Sequence, residues 1–142
     1  MLDIHLFLKR CGSGLLLIAA ILGLLVAATQ SAQAQTLTSL YNFTGGNDGG
    51  WPMDGLVRDG KGNLYGTTME GGLYNAGTVF EIPKKGPEKV LYSFTGSDDG
   101  AHPKAGLIRD KAGNLYGTTQ KGGVHGCGTV FKLTPAGIET VL

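Results

Sequence analysis

Beyond residue 34 the chain has a single cysteine, Cys127, so that part of it cannot close an internal disulfide. Charge is scarce and balanced. Lys and Arg number 12, Asp and Glu 11, and the net charge is +1. No basic patch or acidic tail breaks that balance, so there is no electrostatic footprint for nucleic acid. Zinc-ligand spacing of Cys and His is missing. So are a nucleophile elbow and a Gly-rich loop that opens a helix onto phosphate. No segment after residue 34 repeats apolar residues at helical spacing over a useful length. The 25 glycines follow no three-residue period, which excludes collagen. No catalytic residue, metal, cofactor or nucleic-acid partner is therefore expected.

The first 34 residues stand apart in composition. Lys9 and Arg10 end a short basic segment, and Gly14–Ala28 is an uncharged apolar run of 15 residues. That is short of the roughly 20 residues needed to span a bilayer. Ala32 and Ala34 then frame a small-x-small cleavage signal ahead of Gln35. This layout predicts a helical secretory signal peptide over residues 1–34. Cys11 precedes the apolar run, so a lipoprotein anchor is excluded. The product is expected to be secreted, periplasmic or on the cell surface, meeting the membrane only through the signal before cleavage.

What remains says one thing twice. Leu40–Val90 aligns without a gap on Leu91–Val141, a period of 51 residues with 28 identities. Repeats of that length point to solenoids, propellers or arrays. Each copy holds four runs rich in β-branched and aromatic residues, bounded by Gly and Pro. In the second copy they are "VLYSF", "GLIRD", "NLYGTT" and "GTVFKL". "SLYNF" at Ser39–Phe43 is the first copy's version of the first strand. Short links such as "DGKGN" and "DKAGN" open on Asp, which can bond its own backbone, and carry Gly, which takes positive φ. Asp59, Gly62 and Asn63, and their repeats Asp110, Gly113 and Asn114, are therefore read as turn residues. The fold class that follows is all-β, with two four-stranded antiparallel blade-like repeats, a fragment of a β-propeller-type array. Residues 35–90 form the first repeat. Residues 91–142 form the second and begin a third that breaks off at Leu142.

The motifs "LY-x-F-T-G", "DG-x-x-P", "GL-x-x-D-x-x-GNLYGTT" and "G-x-GTVF-x-L" occur in both copies. They resemble the GloVer tandem repeat of bacterial secreted and surface proteins, over Leu40 to Leu142. The resemblance implies a longer repeat protein with more copies and a surface anchor. It brings no catalytic residues.

Two loops, "GGNDGGWP" and "GSDDGAHP", are the longest polar ones. Asp48 and Asp99 recur there, followed by Trp51 and His102. A Gly-rich turn ordered by its Asp accounts for them. The sharper reading is a ligand site, in which carboxylate and backbone oxygens meet a cation or a sugar and Trp51 offers a stacking face. The loop lacks the ligand density of an EF-hand. Cys127 replaces Ala76 and is read as a small packing residue rather than a reactive thiol.

The function these features favour is a non-enzymatic exported repeat module that binds or displays at the bacterial surface. Its expected partners are further copies of the repeat, in the same chain or an oligomer, and a surface glycan or protein. A fragment of a secreted carbohydrate-active or other propeller hydrolase is the alternative. The open last strand has two accounts. One is a truncated member of a longer protein. The other is self-assembly, with "TLTSLYNF" of one subunit completing another's last sheet. N-terminal sequencing of exported protein should begin at or near Gln35, and material still starting at Met1 would refute the signal peptide.

Overall fold

Each sheet begins with the turn that its aspartate organises. The computed structural model describes residues 35–142, and the expected signal peptide, residues 1–34, lies outside the described residues. Asp59 Oδ1 accepts the N–H groups of Lys61 and Asn63, both at 2.9 Å. Its Oδ2 accepts the Asn63 amide at 3.1 Å and the Tyr65 hydroxyl at 3.2 Å. Asp110 repeats the pattern with the Asn114 N–H at 2.8 Å, the Asn114 amide at 2.7 Å and the Tyr116 hydroxyl at 3.1 Å. Gly62 and Gly113 complete the two turns, both at φ 93°. That is a backbone region where a Cβ is disfavoured.

These turns fold β1 (Val57–Arg58) onto β2 (Leu64–Thr68), and β5 (Ile108–Arg109) onto β6 (Leu115–Thr118). β3 (Thr78–Ile82) and β4 (Lys89–Ser93) continue the first sheet, and β7 (Val130–Leu133) and β8 (Glu139–Val141) the second. Both are antiparallel meanders, in the orders β1-β2-β3-β4 and β5-β6-β7-β8. The described residues contain no helix, so the fold is all-β. The unit Ser39–Leu142 holds both sheets.

The structural unit is out of phase with the sequence unit. The first sheet runs from Val57 to Ser93, across the junction between the copies at Val90 and Leu91. The reason is pairing. Tyr92 lies opposite Val79 and Ser93 opposite Thr78, and the Phe94 N–H donates to Gly77 O at 3.0 Å. The ring of Phe94 then packs edge-on against Phe131 of the second sheet, with centroids 5.1 Å apart. One short segment thus closes one sheet with its backbone and enters the next with its side chain. The matching segment Ser39–Phe43 was expected as a strand, and it is not one. No sheet precedes it among the described residues to supply a ladder. Only its aromatic half is used, with Phe43 edge-on to Phe80 at 4.8 Å.

Alternation along β3 and β7 sends neighbouring residues to opposite faces. Phe80 and Phe131 are both buried, each over the glycine of its "NLYGTT" strand. A Cβ on Gly66 would sit 2.7 Å from Phe80 Cζ, and one on Gly117 2.7 Å from Phe131 Cζ. Those glycines exist to admit a ring. The other face is covered in the first sheet only. Val79 is 0% exposed beneath the second copy, whereas Val130 is 51% exposed. Burying a valine fully contributes about 1.5–3 kcal/mol, so this asymmetry between copies is energetic as well as geometric.

Two substitutions separate the reasons for glycine. Gly113→Ala should cost roughly 1 kcal/mol through its positive φ. Gly117→Ala should cost about 1–3 kcal/mol through overpacking against Phe131 and Leu107. Urea unfolding measures both, and a Gly117→Ala variant as stable as the parent would contradict the packing account.

Candidate functional site

The loops around Asp48 and Asp99 are built by the same hydrogen bonds in each copy. Asp48 Oδ2 accepts the Tyr41 hydroxyl at 2.9 Å and the Thr44 N–H at 2.8 Å, and Oδ1 accepts the Thr44 hydroxyl at 2.5 Å. Asp99 receives the Tyr92 hydroxyl at 3.0 Å, the Thr95 N–H at 2.7 Å and the Thr95 hydroxyl at 2.5 Å. A carboxylate has about four lone-pair sites, and three are occupied here by the loop itself. These aspartates order the turn, with little capacity left for a cation. Among the described residues no group of three or more His, Cys, Asp or Glu is disposed to hold a metal.

Trp51 and His102 share an uncommon backbone, at φ 57° and 53°. Their surroundings differ. His102 lies between the sheets. Its N–H donates to Ala76 O at 2.8 Å, and its Nδ1 is 3.0 Å from Met69 O. Trp51 has no sheet on that side among the described residues and is 66% exposed. The four candidate residues therefore form no common site. Asp48 and Asp99 belong to two separate turns, His102 is an interface residue, and Trp51 is its unpartnered counterpart.

An open cleft of about 580 Å³ lies beside the Asp48 turn, lined by Asn47, Asp48, Leu73, Glu88 and Leu91 to Ser93. Glu88 was missed in reading the sequence, as was its repeat Glu139. The signal was their identity across copies in a link where otherwise only Gly86 and Gly137 match. Neither Glu88 Oε1 nor Glu139 Oε1 has a hydrogen-bond partner, although both atoms are buried. Burial, then the neighbouring Asp48, pushes the Glu88 carboxyl above its ordinary value of 4.5. Burial, then Asp99, does the same to Glu139. Asp48 moves the other way. Burial alone would raise it, but the Thr44 hydroxyl and N–H and the Tyr41 hydroxyl together bring it below 3.8. The Tyr92 hydroxyl is raised by burial and by its bond to Asp99.

The sequence did not mark the pairing of four threonines. Thr68 and Thr78 hydroxyls meet at 2.8 Å, and Thr119 and Thr129 at 2.9 Å, in buried positions. They looked like ordinary strand residues because nothing local marks a threonine as buried.

These observations define an all-β repeat protein of paired four-stranded meanders, with loops ordered by aspartate and tyrosine. A family model described as the Gloeobacter/Verrucomicrobia repeat matches residues 21–142, and the chain belongs to that family. No curated protein and no solved structure matches it.

The two carboxylate classes predict opposite pH effects. A carboxyl raised on folding contributes stability that is present below its unfolded value and lost as pH rises through the folded one. Glu139→Gln should therefore stabilise the fold at pH 7, with the gain vanishing below about pH 4.5. Asp48, Asp59 and Asp110 are lowered, so their contribution is present above about 3.8 and lost in stronger acid. Chemical denaturation of parent and variant across this range checks the signs. A Glu139→Gln variant less stable than the parent at pH 7 would overturn the assignment.

Proposed function

We propose that this chain is an exported, non-enzymatic scaffold of blade-like sheets, part of a β-propeller-type array, that binds or displays at the bacterial surface. The observation that carries this reading is the division between frame and tip. The two copies keep the same four-strand order, turn bonds and threonine pairs. They differ at all three residues of one matched loop tip, Leu73-Tyr74-Asn75 against Val124-His125-Gly126. Leu73 is 68% exposed, Tyr74 62% and Val124 81%. A rigid frame carrying varied exposed tips is how loops come to hold binding function. Aromatic and apolar tips beside an open cleft suit a glycan or a protein surface. Membership of a repeat family supports the modular part, and the layout of the first 34 residues supports export.

The test is retention on a panel of immobilised bacterial polysaccharides and surface proteins. A Leu73→Ser, Tyr74→Ala double variant should lose retention while keeping the parent's melting temperature. Equal retention by the variant, or none by the parent across the panel, would overturn the binding role.

A further inference from the structure

The two sheets dock through a surface that recurs at the outer faces, where no partner covers it among the described residues. Four hydrogen bonds carry the internal docking, one of them from the Gly106 N–H to Asp54 Oδ2. The His102 N–H reaches Ala76 O at 2.8 Å, His102 Nδ1 lies 3.0 Å from Met69 O, and the Thr67 hydroxyl reaches Ala105 O at 3.4 Å. Pro103 is buried against Gly77, and the Arg109 guanidinium lies over the Tyr65 ring at 5.6 Å. The buried side of this interface is Thr67 at 6% exposure, Ala76 at 5% and Val79 at 0%.

Fifty-one residues on, the same positions are open. Thr118 and Cys127 are exposed and Val130 is 51% exposed. The inserting side is duplicated as well. Trp51 and Pro52 occupy the positions of His102 and Pro103, and both are exposed. Leu56 is 45% exposed where Leu107 is 8%. One face of the chain therefore repeats the buried half of the interface, and another repeats the inserting half.

The strand ladder has the same complementarity. β4 pairs with β3 as far as Thr78↔Ser93, and the Phe94 N–H then caps Gly77 O. β8 pairs with β7 only from Leu133 to Phe131, with the Leu142 N–H reaching Val130 O at 2.8 Å. On the side facing β8, Thr129 and Gly128 have no ladder partner among the described residues. Tyr41, Asn42 and Phe43, the counterparts of Tyr92, Ser93 and Phe94, lie outside any sheet.

We infer that a second copy of this chain docks head to tail on the second sheet, repeating the internal interface apart from the Asp54–Gly106 bond, since Ala105 stands where Asp54 does. Tyr41–Phe43 of the incoming copy extends the ladder beside β7, with its Phe43 N–H on Gly128 O. Its Trp51 N–H bonds Cys127 O, its Pro52 packs on Gly128 and its Arg58 lies over Tyr116. Trp51 cannot reproduce the histidine's ring as an acceptor, but its indole N–H can donate to Gln120 O, as the contact requires. The contact is heterologous, each copy offering one face and receiving on the other, so it propagates until a ring closes. The inference deepens the blade reading and rests on it. It needs neither export nor any loop ligand, so failure of those leaves its own outcome readable.

The full chain, purified as the expressing cell processes it, tests this by sedimentation across micromolar to millimolar concentration. The parent should associate. Emission from Trp51, the chain's one tryptophan, should move to shorter wavelength as it does so. Alkylation of Cys127 should slow in proportion to the associated fraction. Trp51→Asp and Val130→Asp alter exposed side chains on opposite faces, so each should stay folded and monomeric alone. Mixed, they should form a one-to-one dimer through the intact pair of faces. A parent that is monomeric throughout with its sheets folded would overturn the docking while leaving the blade reading intact. Dimers of either single variant alone would also overturn it, since they would mean like faces pair with like. If Val130→Asp fails to fold, Thr118→Arg, also on an exposed side chain, takes its place and must give the same complementation.

Discussion

The Thr68–Thr78 hydroxyl pair, with its repeat at Thr119–Thr129, is the interaction around which each half of the structure closes. Thr68 Oγ1 accepts the Thr78 N–H at 3.2 Å and donates to Glu70 O at 2.9 Å, which leaves the Thr78 hydroxyl to donate across the pair. Every polar atom of the cluster is satisfied, so the buried hydroxyls stabilise rather than penalise. The pair lies where β2 ends, where β3 begins and where the Asp48 loop returns. A Cβ on Gly49 would fall on these hydroxyls, as would one on Gly100 in the second copy. The glycine therefore lets the polar loop touch the sheet. The aspartate–tyrosine bonds of that loop then fix its path, and the path decides where Trp51 and His102 emerge.

From that path follows the coupling between sheets. His102 leaves its loop at positive φ and reaches two carbonyls of the loop that joins β2 to β3. Phe94 closes the first sheet's ladder and packs within the second. Asp54 adds a contact of its own, accepting the Gly106 N–H at 2.5 Å. The hydrophobic core accordingly spans both sheets, joining Val79 and Phe94 to Leu107 and Phe131. A unit whose backbone belongs to one sheet and whose aromatic side chain belongs to the next cannot satisfy itself alone. That is the physical content of the repeat. It explains why identical residues, such as Val79 and Val130, have opposite exposure in the two sheets.

The same logic reassigns the residues that looked chemical. Polar side chains that recur in both copies, Asp48, Asp59, Asp99 and Asp110, are engaged with their own loops. Among the residues that differ between copies are the loop tip Leu73-Tyr74-Asn75 and the interface residue His102. Recurrence marks the frame, and variation marks what the frame carries. Glu88 and Glu139 depart from that pattern. They recur, their Oε1 atoms are buried, and those atoms have no partner, so they are a cost retained in both copies.

Most of the strands, the two aspartate turns and the family are legible along the chain, because these depend on local chemistry. β-branched alternation, an Asp that bonds its own backbone, and a 51-residue period are all readable along the chain. Where one sheet ends and the next begins is set by long-range pairing. A period has no natural starting point, and the strand from Lys89 to Ser93 joins the sheet before it because that is where a free ladder lies. Tertiary structure also decided that Ser39–Phe43 is not a strand, since the same residues become one only beside a partner. The fate of Trp51 and His102 was settled in the same way. Their loops are alike in sequence and backbone, and whether such a side chain is exposed or docked depends on a neighbouring sheet that lies far away along the chain.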